Sequence, residues 1–198
     1  MINALQRLAI NYHFEVEIGA ILSSKYSRIK ASGGLACVWD DTNLYNVSLC
    51  FCLLRQEGHH ISVASWTITC RKFKKYLIED VKGFKKLYEA SQLGIEGESL
   101  LEEAAVFAPM NLDATPIHLG EDEARFIQNT LQNPCNNSLA RLKLIHYIKN
   151  LESLCGKNVD IQELAKMDFN IVQSLHQREL FEAIEYVLCF ILNVHYLY

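Results

Sequence analysis

Proline is scarce in this sequence. Pro109, Pro116 and Pro134 are the only three in 198 residues, so long stretches are free to be helical. An excess of basic charge is missing as well. The 19 Lys and Arg stand against 23 Asp and Glu, a net charge of −4, which gives no support for nucleic-acid binding, where a basic patch or stripe is usual. No C-x-x-C pair occurs among the seven cysteines at 37, 50, 52, 70, 135, 155 and 189. Their odd number and scatter favour free thiols in a reducing compartment over disulfides or zinc. On a helix, Cys50 and Cys52 lie about 200° apart and face different sides. There is no Gly-rich phosphate loop, no G-x-S-x-G elbow and no repeat of fixed period, so a regular solenoid is not indicated. A long apolar opening is absent too. Glu15 and Glu17 interrupt the first amphipathic stretch, and Met1 already adjoins a helical pattern, so neither a signal peptide nor a plastid transit peptide is expected and a cytoplasmic location follows.

What the chain has is apolar residues at helical spacing. Half of it is hydrophobic, and its length suits one domain with a substantial core. The spacing predicts a first helix from Ile2 to about Arg28, carried by Leu5, Leu8, Tyr12 and Ile18–Leu22. Ser32-Gly33-Gly34 is a loop, and Asp or Thr in Trp39-Asp40-Asp41-Thr42-Asn43 would cap a second helix that Gly58 stops. His59 to Tyr76 is poorly periodic. A hairpin of helices follows over 77–93 and 98–108, with Phe84, Tyr88, Leu101 and Ala105 inside and Gly94 and Gly97 at the turn. Ala108 to Gly120 reads as a loop because of its two prolines. Further helices are expected from Glu121 to Gln132, from Ser138 to Leu154 and from Asp160 to about Tyr186.

Candidate chemistry is thin. Asp40 and Asp41 are the only adjacent aspartates and precede a helix, where capping explains them. Glu121-Asp122-Glu123 opens a helix and suits its dipole, as do Glu98, Glu102 and Glu103 in the hairpin. His59 and His60 are adjacent and point apart, a poor metal pair. His176 has Asp168 and Glu179 near it in sequence, and a structural contact one turn away is the simple reading. The basic residues at 71, 72, 74 and 75 read as a solvated face.

Four blocks of wording, in order, resemble the N-terminal domain of plant terpene synthases. The first is Ala4-Leu5-Gln6-Arg7-Leu8 with Tyr12-His13-Phe14 and Glu17-Ile18, similar to the family's I-Q-R-L-G-x-x-Y-H-F. The second is Asn43-Leu44-Tyr45, Ser48-Leu49, Phe51 and Leu53-Leu54-Arg55-Gln56-Glu57-Gly58, similar to D-L-Y-x-x-A-L-x-F-R-L-L-R-x-x-G. The third is Leu87-Tyr88-Glu89-Ala90-Ser91, Gly97-Glu98, Leu101-Glu102-Glu103-Ala104 and Phe107. The fourth runs from Glu163 through Asp168 and Asn170 to His176-Gln177 and Glu179-Leu180. Ser138-Leu139-Ala140-Arg141, together with Glu163–Asn170, looks closest to the branch that makes acyclic alcohols such as linalool and nerolidol.

The resemblance implies an all-α fold, an incomplete α-barrel, over residues 1–180, followed by a divergent apolar tail at 181–198. It implies a truncated class I terpene synthase whose intact relatives, plastid enzymes among them, convert geranyl or farnesyl diphosphate with Mg2+. Catalytic, cofactor-binding and metal residues are all expected to be none in this chain. The D-D-x-x-D carboxylates that hold magnesium and the D-x-D-D motif of the protonation route both fail to occur, and in the family the former sit on a second domain. The prenyl diphosphate is therefore not expected to bind here, and a terpene synthase catalytic domain is the expected contact. The other reading is a non-catalytic helical interaction module. The sequence departs from the family at Cys52, where an Arg is usual, and in a short, Gly-less segment between Ser62 and Leu77. A membrane anchor is not expected, because the apolar run Tyr186–Leu192 is far shorter than the roughly 20 residues a spanning helix needs.

Overall fold

The computed structural model describes residues 1–32, 43–63, 80–114, 121–132 and 158–195, together with positions 134, 141, 144 and 147. Every regular element among them is helical: α1 (Ile2–Arg7), a 3-10 turn (Asn11–Phe14), α2 (Glu15–Ser32), α3 (Leu44–Gln56), α4 (Val81–Ser91), α5 (Ser99–Ala114), α6 (Glu121–Gln132) and α7 (Val159–His195).

The single first helix expected from the spacing is broken at Leu8–Ile10. Leu8 and Ile10 are fully buried, and the backbone closes over them with Ala9 N–H bonded to Gln6 C=O and Ile10 N–H bonded to Leu5 C=O. This pair of bonds is a Schellman end, which requires the residue after the cap to be left-handed, and Ala9 has φ 54. Helix α3 ends in the same way, with Gly58 N–H to Arg55 C=O, His59 N–H to Leu54 C=O and Gly58 at φ 80. Glycine takes that conformation without a Cβ clash, and alanine does not.

Helix α3 is largely buried. Leu44, Val47, Phe51 and Leu54 are buried on one side, and Ser48, Cys50, Cys52 and Leu53 on the others. Its cap is Asn43, whose side chain accepts from Tyr45 N–H at 2.9 Å, rather than the Asp or Thr before it. α4 packs on α3, and α5 packs on α4. Asp80 caps α4 by accepting from Gly83 N–H at 2.8 Å. The predicted helix pair is present, with Phe84 and Leu101 buried and Tyr88 and Ala105 half-buried. Its connection is longer than the 94–97 turn expected from the glycines, running from Gln92 to Glu98 with Gly97 at φ 91.

Helix α5 does not stop at Ala108. It runs through Pro109 to Ala114. A proline inside a helix forfeits one backbone bond, but Leu101, Ala104, Ala108 and Leu112 form a continuous buried stripe that outweighs that loss. The helix predicted from Glu121 is found at Glu121–Gln132, with Ile127 buried. α7 has 37 residues and spans about 55 Å. It passes Leu180 without interruption, and every residue from Gln173 to Phe190 is exposed.

Candidate functional site

Several polar residues of the four sequence blocks meet partners in three clusters. In the first, Arg7 at the end of α1 reaches Glu89 on α4. Its guanidinium donates to both carboxylate oxygens, at 2.8 and 3.0 Å, and to the Tyr147 hydroxyl at 2.8 Å. Lys86 adds a bond to Glu89 at 2.8 Å and one to Asn3 at 3.3 Å. Glu89 is wholly buried. Burial opposes its charge, yet Arg7 and Lys86 outweigh that cost and hold its pKa down at about 2.

The second cluster joins α3 to the start of α5. Arg55 grips both oxygens of Glu98 and donates to the carbonyls of Leu93 at 2.7 Å and Ile61 at 3.0 Å. Its guanidinium lies over the Phe51 ring at 4.5 Å. Glu98 also accepts from Ile95 N–H at 3.1 Å, which fixes the turn between α4 and α5. The hydrogen bonds from Arg55 keep the Glu98 carboxyl below its ordinary range against the cost of its desolvation. Glu98 thus has a specific partner, beyond the helix-dipole role its position suggests.

Asp168 on α7 forms the third. The Tyr12 hydroxyl donates to one of its oxygens, and His13 Nε2 lies 3.2 Å from the same atom. Arg141 donates to the other oxygen at 3.2 Å. Burial opposes the charge on Asp168, but the bonds from Tyr12 and His13 and the Arg141 cation hold the carboxyl below its ordinary value. The same contact pushes the Tyr12 phenol up. Sequence spacing linked Asp168 with His176. The structure instead points Asp168 inward, 5% exposed, and leaves His176 on the exposed part of α7.

Of the other residues weighed for chemistry, His59 stacks on Tyr26 of α2, with ring centroids 4.4 Å apart, and the His60 carbonyl faces the Tyr26 hydroxyl at 3.4 Å. Cys50 and Cys52 are buried, and Cys189 is exposed. Asp40, Asp41, the basic residues at 71–75 and the side chains of Glu121, Asp122 and Glu123 lie outside the described residues. Among the described residues, no three His, Cys, Asp or Glu converge to hold a metal ion, and no helix is long and apolar enough to cross a membrane. Both oxygens of Glu89, Glu98 and Asp168 are already engaged by donors of the chain itself, so these carboxylates do not fit magnesium. The pairing was hidden in the sequence because the partners stand 82, 43 and 156 positions apart.

Residues 1–139 match the family described as terpene synthase, N-terminal domain. A probable terpene synthase from Ricinus communis is 37% identical over 91% of the chain, and an alpha-humulene synthase from Humulus lupulus is 37% identical over 92%. The chain spans about a third of the length of these curated relatives, 32% and 33% respectively. The crystal structure of isoprene synthase from grey poplar leaves superposes with a TM-score of 0.77 at 33% identity, covering 93% of this chain and 35% of that one. The same enzyme in complex with three Mg2+ ions and dimethylallyl-S-thiolodiphosphate gives 0.73 at 34% identity, covering 91% and 34%. The helical architecture, the order of the four blocks and the ion pairs that join them thus belong together: the chain is a member of the terpene synthase family and carries its all-α N-terminal domain.

Proposed function

We propose that the chain serves terpenoid biosynthesis as a non-catalytic scaffold, supporting a domain that converts a prenyl diphosphate. The observation that carries this reading is the pairing of the block charges with one another. Arg7 with Glu89, Arg55 with Glu98, and Tyr12 and His13 with Asp168 are spent on joining helices, and none is left facing a substrate. Magnesium and geranyl or farnesyl diphosphate then belong to the intact relatives, in the part of their length that this chain does not span. The exposed apolar residues of α7, Leu180, Phe181, Ile184 and Val187, favour a terpene synthase catalytic domain as the contact. They also suit the second reading, an interaction module that binds an intact synthase. Within the family, the wording around Asp168 keeps the acyclic-alcohol branch as the nearest product class.

The test is incubation of the purified chain with geranyl and farnesyl diphosphate plus magnesium, followed by product analysis. No terpene above a boiled control is expected, because nothing would stabilise the departing diphosphate. Magnesium-dependent product would overturn the scaffold reading.

A further inference from the structure

Asp168 draws together segments far apart in sequence, and it does so where α7 leaves the domain. Among the described residues of α7, only Ala165 and Asp168 are buried, with Ile161, Leu164 and Phe169 packed in part against the core. From Gln173 to Phe190 the helix is exposed on all sides. Its described hold on the domain is therefore concentrated in roughly its first three turns, and Asp168 lies at the outer end of that hold.

The segment that reaches Asp168 has an unfavourable start. Ala9 carries a left-handed backbone at φ 54, and the chain then delivers Tyr12 and His13 to the Asp168 carboxylate. A conformation that an alanine resists persists where neighbouring contacts over-determine it. Buried Leu8 and Ile10 supply one set of contacts, and Asp168 supplies the other. The rest of the domain is pinned separately. Arg7 fastens α1 to Glu89 on α4, and Arg55 fastens α3 to Glu98, and the contacts described for these two clusters include no residue of α7.

We propose that Asp168 is the fastening of a strap, in which residues 8–14, with Arg141, clasp the root of α7 through one carboxylate, so that opening it frees both segments together while α3, α4 and α5 stay folded. The strap would set the direction in which the exposed part of α7 projects.

Hydrogen–deuterium exchange on the full chain tests it, with Asp168→Asn as one variant and the double variant Tyr12→Phe, His13→Gln as another. In both, amides of residues 10–18 and 160–172 should exchange about tenfold faster, the effect of losing a charge-assisted hydrogen bond. Amides of 44–56 and 81–91 should keep their rates. Unchanged exchange everywhere would overturn the strap. So would acceleration in only one of the two segments. Acceleration spread evenly over all helices, or loss of the fold in either variant, would show that Asp168 is part of the general core, and that also overturns it.

Discussion

Helix α3 and the outer part of α7 carry similar apolar side chains and meet opposite surroundings. On α3, Leu44, Val47, Phe51 and Leu54 are buried; on α7, Leu180, Phe181, Ile184 and Val187 are between about half and two-thirds exposed. An apolar stripe becomes core only where neighbouring helices close over it. Around α3 they do, and ion pairs, partly or wholly buried, accompany the closure: Arg55 leaves α3 for Glu98, and Glu89 on the adjoining α4 holds Arg7 and Lys86. On α7 the last such anchor is Asp168. The three clusters therefore map where packing ends, with helices joined by paired charges on one side and a helix with open flanks on the other.

Removing Glu89 should have the largest effect on the packed side of the molecule. Glu89→Ala would leave Arg7 and Lys86 buried without their counter-charge, and such a loss costs about 3–5 kcal/mol. Chemical denaturation should show it as a large drop in midpoint at unchanged slope. Acid probes the same pair without mutation. The carboxyl is held at about 2 in the folded state against an ordinary 4.5, so its contribution is full above pH 4.5 and lost as pH falls toward 2. The shift corresponds to about 3 kcal/mol in that window. A variant that melts like the parent and loses no acid dependence would show that the cluster does not hold α1 to α4.

A smaller effect of opposite sign is expected inside α3. Ser48 is fully buried and its hydroxyl has no hydrogen-bond partner among the described residues. The family wording places Ala here. Ser48→Ala removes an unsatisfied polar atom and should raise stability by about 1–2 kcal/mol in a denaturant titration. A loss instead would mean that the hydroxyl is satisfied in solution and that this side of α3 is less dry than its burial indicates.

How much of this could be read from the sequence depended on whether the signal was local. The α4–α5 pair was legible because Phe84, Leu87 and Leu101 repeat at helical spacing and Gly97 marks the turn. The end of α3 was legible at Gly58. The equivalent end of α1 was not, because an alanine fills the left-handed position and nothing in composition marks it. Pro109 misled in the other direction, since the buried stripe through Ala108 and Leu112 keeps α5 helical past it. The candidate site was the least legible part. Glu98 read as a charge suited to the helix dipole and Asp168 as a neighbour of His176, while Arg7 carried no reading beyond its place in the first block, and only the fold brings their partners across.

The smallest effect on stability is expected at the far end of α7. From Tyr186 to Phe190 the residues are exposed, Tyr186 and Phe190 prominently so, and the apolar ones among them have no described contact that would cost folding energy to lose. Shortening the chain after Glu185 should therefore change its stability by no more than about 0.5 kcal/mol, the range of ordinary surface changes. The effect should appear elsewhere. Exposed Val187, Leu188 and Phe190 form apolar surface of the kind that drives self-association, so the shortened chain should scatter less light at the same concentration. Thermal melts and light scattering on both lengths separate the two outcomes. A shortened chain that melts well below the parent would place the end of α7 within the packed domain, and the contrast between α3 and α7 would fail at that point. Unchanged melting with reduced scattering would sharpen it, because the same apolar side chains would then stabilise the fold in one helix and only promote association in the other.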